Sequence, residues 1–402
     1  MKNFSIPSYY KGSFIGYVKS LQKQNDPKKK KFSPIRLDFG VGSFLLPRHF
    51  GFCYGVENAI EIIYTCLQEN PGKPIYLLSE MIHNPIVNQD LQSQGIFFLQ
   101  DTYGRQLIDW QILQDGDIVI IPAFGTSLEV ERLLKKLPVK IISYNTTCPF
   151  VERVWNKAEK LSHENYTLIL HGKYQHEETR ATFSRAAQHS PVVIVRDQTE
   201  AAALARYIAA PDETFYDFFE GKHSAGFDIY KDLNRLAVIN QTTMLAQETK
   251  EITDFLKNCL QTRYPNDPIQ LHYADTRDTL CYATNDNQTA AYALLDNSID
   301  LAVVIGGYNS SNTTNLAHLF RSKCPTYFIE KSDNIRGNAI SHFDFIDKVT
   351  KNQNNFIDLG AHPTIALAAG ASCPDAVIEQ VIIQILKLFE IYGTEEIKIL
   401  LD

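Results

Sequence analysis

The chain has 402 residues, more than the ~100 to 200 of one ordinary domain, so two or three domains sharing buried surface are expected. With 44% hydrophobic and 21% charged residues it can build a sizeable core, which excludes a largely disordered chain. A formal charge of -7 supplies no cationic footprint for nucleic acid, and no run of about 18 apolar residues reads as a membrane span.

Residues 1 to 37 read as a polar extension without the apolar stretch of a secretory signal, and Lys28 to Lys31 beside Pro27 read as a solvated linker. The expectation is a soluble, cytoplasmic protein. Import into a plastid stays open, because Lys2, Lys11, Lys19 and Lys23 all precede the first acid, Asp26. Asp38 to Ser43 carries two of the three glycines of a dinucleotide fingerprint and lacks the third, a weak match.

β-Branched and aliphatic runs at Ile75 to Leu78, Ile118 to Ile121, Thr167 to Leu170, Val192 to Val195, Leu236 to Ile239, Leu301 to Ile305 and Thr326 to Ile329 predict buried strands. Between them, apolar residues at helical spacing (Val56, Ala59, Ile60, Ile63, Leu67; Val151, Val154, Trp155, Ala158, Leu161) predict helices. Strands alternating with helices indicate α/β units with mostly parallel sheets. Residues 207 to 236 read as an inserted loop with a short helix, and residues 375 to 391 as a final amphipathic helix.

Seven cysteines without a CxxC pair argue against a disulfide framework and leave buried thiols, a nucleophile or metal ligands brought together from distant segments. Cys53, Cys148 and Cys281 each stand just before a helical segment, where the dipole and free N–H groups stabilise a thiolate. Pro149 suits a first helical turn, and Thr284 is a candidate N-cap. Three similar α/β modules, each giving one cysteine near a helix start, would set three thiols around one centre. Cys66, Cys259, Cys324 and Cys373 are assigned to packing. The pattern HEETR lacks the second histidine of a zinc-protease helix, since Arg180 stands there.

Taken in order, GFCYGVENAIEI, SEMIHNPIV, NTTCPFVERV, HGKYQHEETRAT, NQTTM, CYATNDNQ, GGYNSSNTTNLA and AGASCPD resemble the motif set of the 4-hydroxy-3-methylbut-2-enyl diphosphate reductase family, over residues 50 to 380. The resemblance implies three α/β domains around a central 4Fe-4S cluster held by Cys53, Cys148 and Cys281. It also implies two-electron removal of the hydroxyl from an allylic diphosphate, with electrons from a small carrier such as ferredoxin or flavodoxin. Matched to it, His83 and His176 face the diphosphate, with Asn309, Ser310, Ser311, Asn312 and Ser372 as neutral donors. Glu178 is the proton-delivering carboxylate, and Thr242 the hydroxyl between substrate and relay. Read without the resemblance, Ser310 to Asn312 form a helix cap, Gly370 to Ser372 a tight turn, and Glu177 with Glu178 acids of a first helical turn. Ala123-Phe124-Gly125 departs from the Ala-His-Gly loop of the common bacterial branch and is similar to the plant and cyanobacterial one.

The expected layout is an extension with a first strand over 1–50 and α/β domains over 51–147, 148–275 and 276–402. The 148–275 domain carries the 207–236 insertion. Two other activities use the same residues: a cluster-dependent hydro-lyase, or a non-catalytic anion binder of three α/β lobes.

Overall fold

A computed structural model describes residues 4–28, 30–140, 145–276 and 279–401. The chain is α/β and divides into two units: Met1–Glu61, Ile82–Leu91 and Tyr282–Asp402 form one, and Ile62–Met81 with Gln92–Cys281 form the other.

The first unit is built on a six-stranded sheet. Its order is Thr326–Ile329, Leu301–Ile305, Thr364–Ala369, Ser43–Leu46, Ile35–Asp38 and Lys398–Leu401. The first four strands are parallel, with Leu301 opposite Ile365 and Ile365 opposite Phe44; the last two pair antiparallel. Alternate residues of the interior strand Leu301–Ile305 serve two cores. Val303 and Ile305 pack with Val377, Val381 and Ile385 of the helix Asp375–Leu386, while Ala302 and Val304 pack with Leu294, Leu316 and Phe320. Residues 335–354 add a separate three-stranded antiparallel sheet.

Part of the expected polar extension is structured. Ser13–Asn25 is a helix, and its Ile15 and Val18 lie in the first core. Asp38 to Ser43 is a hairpin turn in which Phe39 N–H donates to the Gly42 carbonyl (3.1 Å), so no helix follows to receive a dinucleotide. The predicted final helix ends at Leu386, and the chain goes on to the edge strand Lys398–Leu401.

The second unit holds two fully parallel sheets, Ile96–Phe98, Ile75–Leu77, Ile118–Ile120 and Val192–Val195, Thr167–His171, Leu236–Asn240, Tyr273–Ala274, each in that order. Phe215, Phe219, Phe227, Ile229 and Leu233 of the expected insertion pack with Val193, Val238 and Leu256, so this segment adds core as well as loop. Among the described residues no helix is long and apolar enough to cross a membrane.

Candidate active site

In the second unit the strand Thr167–His171 is followed by Gly172, and after a turn His176 caps the helix Glu177–Ala186. The His176 Nδ1 accepts from the Glu178 backbone N–H at 3.2 Å, so in the neutral ring the proton sits on Nε2. Glu178 is only 1% exposed. One of its carboxylate oxygens accepts from the Thr242 backbone N–H at 2.6 Å and the other from the Thr242 hydroxyl at 3.0 Å. Thr242 follows the strand Leu236–Asn240, parallel to the strand that leads to His176, so both groups lie where parallel strands leave ligand space at their carboxyl ends. Glu177 points elsewhere, accepting from the Ser79 hydroxyl. Phe124 stacks edge-on against the His176 ring at 5.5 Å.

Cys148 and Cys281 belong to this unit. Cys148 is the N-cap of Pro149–His163, with Pro149 in the first turn, and its N–H donates to the Ala123 carbonyl (2.9 Å). Burial pushes its thiol up to about 12; the neighbouring Cys281 and Glu178 push the same way, and the amides of Phe150 and Val151 oppose them. A thiol so held keeps its proton until a cation arrives, and metal binding releases it. The Cys281 N–H donates to the Thr242 carbonyl (3.3 Å), and the next residue begins the helix Tyr282–Leu295. Thr284 lies inside that helix and is not its N-cap.

The first unit holds Cys53, whose N–H donates to the Ala371 carbonyl (3.1 Å) just before the helix Tyr54–Glu69. The Ala371 N–H in turn donates to Asn312 Oδ1 (3.2 Å), which ties the cysteine to the helix Ser311–Arg321. The Ser372 hydroxyl donates to the His83 carbonyl (3.2 Å). A Cβ on Gly307 would lie 2.5 Å from that same carbonyl oxygen, so glycine is what lets the Gly306-Gly307 turn approach His83.

The buried polar atoms of this unit without a hydrogen-bond partner among the described residues include Asn84 Nδ2, Ser311 Oγ and Asn312 Nδ2. Orphans of this kind are costly unless a ligand or water satisfies them. Ser310 differs from Ser311, because its hydroxyl caps the helix by accepting from the Thr313 N–H and hydroxyl. Asn309 is exposed on the turn before it. Asn84 was not among the residues expected from the sequence. Its place before Pro85 marks it as an N-cap, and its Oδ1 does accept from Ile86 and Val87 N–H, while its amide nitrogen is the unsatisfied part.

Among the described residues no three His, Cys, Asp or Glu side chains stand ready as a metal-ligand set. The donor chemistry nonetheless fits an iron-sulfur cluster: Cys53, Cys148 and Cys281 are half-buried thiols in no disulfide, at helix starts, and two of them are close neighbours. The other four behave as packing cysteines. Cys66 and Cys373 are buried, and Cys324 and Cys373 point their thiols at nearby carbonyls.

The family model described as LytB protein matches residues 44–386. The chain belongs to the LytB family. A 4-hydroxy-3-methylbut-2-enyl diphosphate reductase of Synechocystis is 38% identical over 90% of this chain and 94% of its own. The enzyme of that name from Nostoc punctiforme is 39% identical over 89% of this chain and 87% of its own. Among solved structures, the E-1-hydroxy-2-methyl-but-2-enyl-4-diphosphate reductase of Plasmodium falciparum superposes with a TM-score of 0.60 at 24% identity, covering 84% of this chain and 86% of that one. A likeness at that identity speaks for the fold, which the LytB chain shares.

Proposed function

We propose that this LytB protein reduces (E)-4-hydroxy-3-methylbut-2-enyl diphosphate to isopentenyl and dimethylallyl diphosphates, the last step of the methylerythritol phosphate route to isoprenoids. The observation that carries the reading is the buried Glu178 carboxylate, gripped by both the N–H and the hydroxyl of Thr242 beside the Cys148 and Cys281 thiols. That is an acid with a built-in hydroxyl partner next to candidate iron ligands.

Cys53, Cys148 and Cys281 together would hold a 4Fe-4S cluster, which when bound supplies single electrons and a Lewis-acidic iron with no cysteine of its own. The remaining work falls to the chain. Removing an allylic hydroxyl as water takes two electrons and two protons; one proton goes to the leaving oxygen and the other to the hydrocarbon. Once protonated, Glu178 would reverse the bond it now accepts from the Thr242 hydroxyl, so that Thr242 takes the acid's proton on one side and donates its own to the leaving oxygen on the other.

A diphosphate bound without lysine or arginine needs many neutral donors. Ser311 Oγ, Asn312 Nδ2 and Asn84 Nδ2 are buried donors lacking partners among the described residues, and the first two open an 11-residue helix whose N–H groups favour an anion. His83, His176, Ser372 and the turn of Asn309 and Ser310 complete the set. Electrons would come from a ferredoxin- or flavodoxin-like carrier. Cytoplasmic placement, and the division into domains at 50, 147 and 275, belong to the same proposal.

The test is an anaerobic assay with the hydroxylated allylic diphosphate and a reduced one-electron donor. Two donor molecules oxidised per product support the reading. Loss of water to an unreduced, more unsaturated diphosphate without donor oxidation would make the chain a hydro-lyase.

A further inference from the structure

Residues 273–276 and 279–281 lie beside the strand Leu236–Asn240, but among the described residues their backbone pairing is short, with Leu236 opposite Tyr273 and Ala237 opposite Ala274. Threonine hydroxyls continue it. The Thr276 hydroxyl donates to the Val238 carbonyl (2.7 Å). Thr279 then locks onto Asn240 from both directions: Asn240 N–H donates to the Thr279 hydroxyl (2.8 Å), and Thr279 N–H donates to Asn240 Oδ1 (2.9 Å). The Thr279 hydroxyl in turn has Asn240 Oδ1 (2.7 Å) as its acceptor, and Asn240 Nδ2 donates to the Gln241 carbonyl (3.0 Å). Asn240 is 1% exposed, so these bonds are shielded from competing water.

Two residues beyond each end of this clamp stand groups of the active site. Thr242 follows Asn240 and holds Glu178; Cys281 follows Thr279 and donates its N–H to the Thr242 carbonyl. We infer that the Asn240–Thr279 clamp is a positioning device that fixes Cys281 against the Thr242–Glu178 pair, so that a cluster ligand and the proton relay hold one geometry. This rests on the proposed function and adds to it two residues that touch neither substrate nor cluster. Loosening the clamp would let Cys281 and Thr242 drift apart while the two sheets of the unit keep their cores.

The experiment compares anaerobically purified wild-type, Thr279→Val and Thr279→Ser proteins. Valine keeps the shape and removes the hydroxyl; serine restores it. For each, three quantities are measured: the rate at which cluster absorbance bleaches under an iron chelator, kcat and KM with the allylic diphosphate, and the melting temperature. The clamp predicts that Thr279→Val bleaches about tenfold faster and loses about tenfold in kcat, with KM within about twofold, and that Thr279→Ser recovers both rates. Wild-type bleaching and kcat in Thr279→Val would overturn it. So would losses in Thr279→Val that track a fallen melting temperature and that serine leaves unrepaired. A wild-type protein without iron would instead overturn the cluster reading, and the clamp's role with it.

Discussion

Replacing Glu178 by glutamine separates proton delivery from every other task at the site. Glutamine can keep one oxygen in front of the Thr242 N–H, where the carboxylate bond is 2.6 Å, and turn its amide nitrogen toward the Thr242 hydroxyl at 3.0 Å, reversing that bond's direction. The cost to stability is a charge-assisted bond made neutral, about 1 kcal/mol. The cost to the reaction is the transferable proton itself, typically ~10² to 10⁴ in rate, or about 3 to 5 kcal/mol of barrier. The rate effect therefore exceeds the stability effect severalfold, and the two can be read apart. Steady-state kcat measured anaerobically beside iron content and melting temperature should show kcat down by about two to four decades, iron unchanged and only a small thermal shift. A near-wild-type kcat would refute the relay. Loss of iron would show that Glu178 acts on the cysteines and not on the proton.

Cys148→Ser should lose most of its iron and cluster absorbance, while Cys66→Ser, a substitution in the packed middle of a helix, should keep both; iron assays on the two proteins decide. Gly307→Ala puts a methyl group 2.5 Å from the His83 carbonyl oxygen, so the turn or His83 must move, and KM for the diphosphate should rise about tenfold with iron content unchanged. His171 is fully buried, bonded through Nδ1 to Thr249 with Glu248 3.7 Å away, and burial lowers its pKa from 6.5 to about 4, with the Arg196 carbonyl and Asp197 opposing. The unfolded chain thus binds this proton more readily than the folded one. The stability His171 contributes is complete above pH 6.5 and is lost as pH falls toward 4, on the order of 3 kcal/mol in all. Chemical denaturation between pH 7 and 4 should show that loss in the wild type and a shallower one in His171→Asn.

The strands built from β-branched residues, such as Val192–Val195 and Leu301–Ile305, were legible because nothing else favours such runs so strongly. Thr364–Ala369 was not, although it lies between two parallel neighbours, because an alanine-rich stretch carries little strand preference and only its place in the sheet decides its conformation. The helix Ser13–Asn25 hid behind its lysines and glutamines; its buried face is little more than Ile15, Val18 and Gln22. The insertion read as loop because its apolar residues are aromatics without a period, which pack by shape and not by spacing.

The three cysteines, Glu178 and Thr242 entered the proposed site through ordered motifs. Which serine of the pair Ser310 and Ser311 spends its hydroxyl on the cap, and that Asn84 keeps an unsatisfied amide, depend on side-chain directions that residue types do not encode. The Asn240–Thr279 clamp joins residues 39 apart, and no local pattern announces it.

The proposed cluster chemistry is tested by one titration: product formation from the hydroxylated allylic diphosphate measured against iron and sulfide content, across preparations loaded to different extents. It predicts a line through the origin, rising to full activity at about four irons and four sulfides per chain. Turnover by iron-free protein, or a fully loaded protein that oxidises its donor without forming either isoprenoid diphosphate, would contradict it.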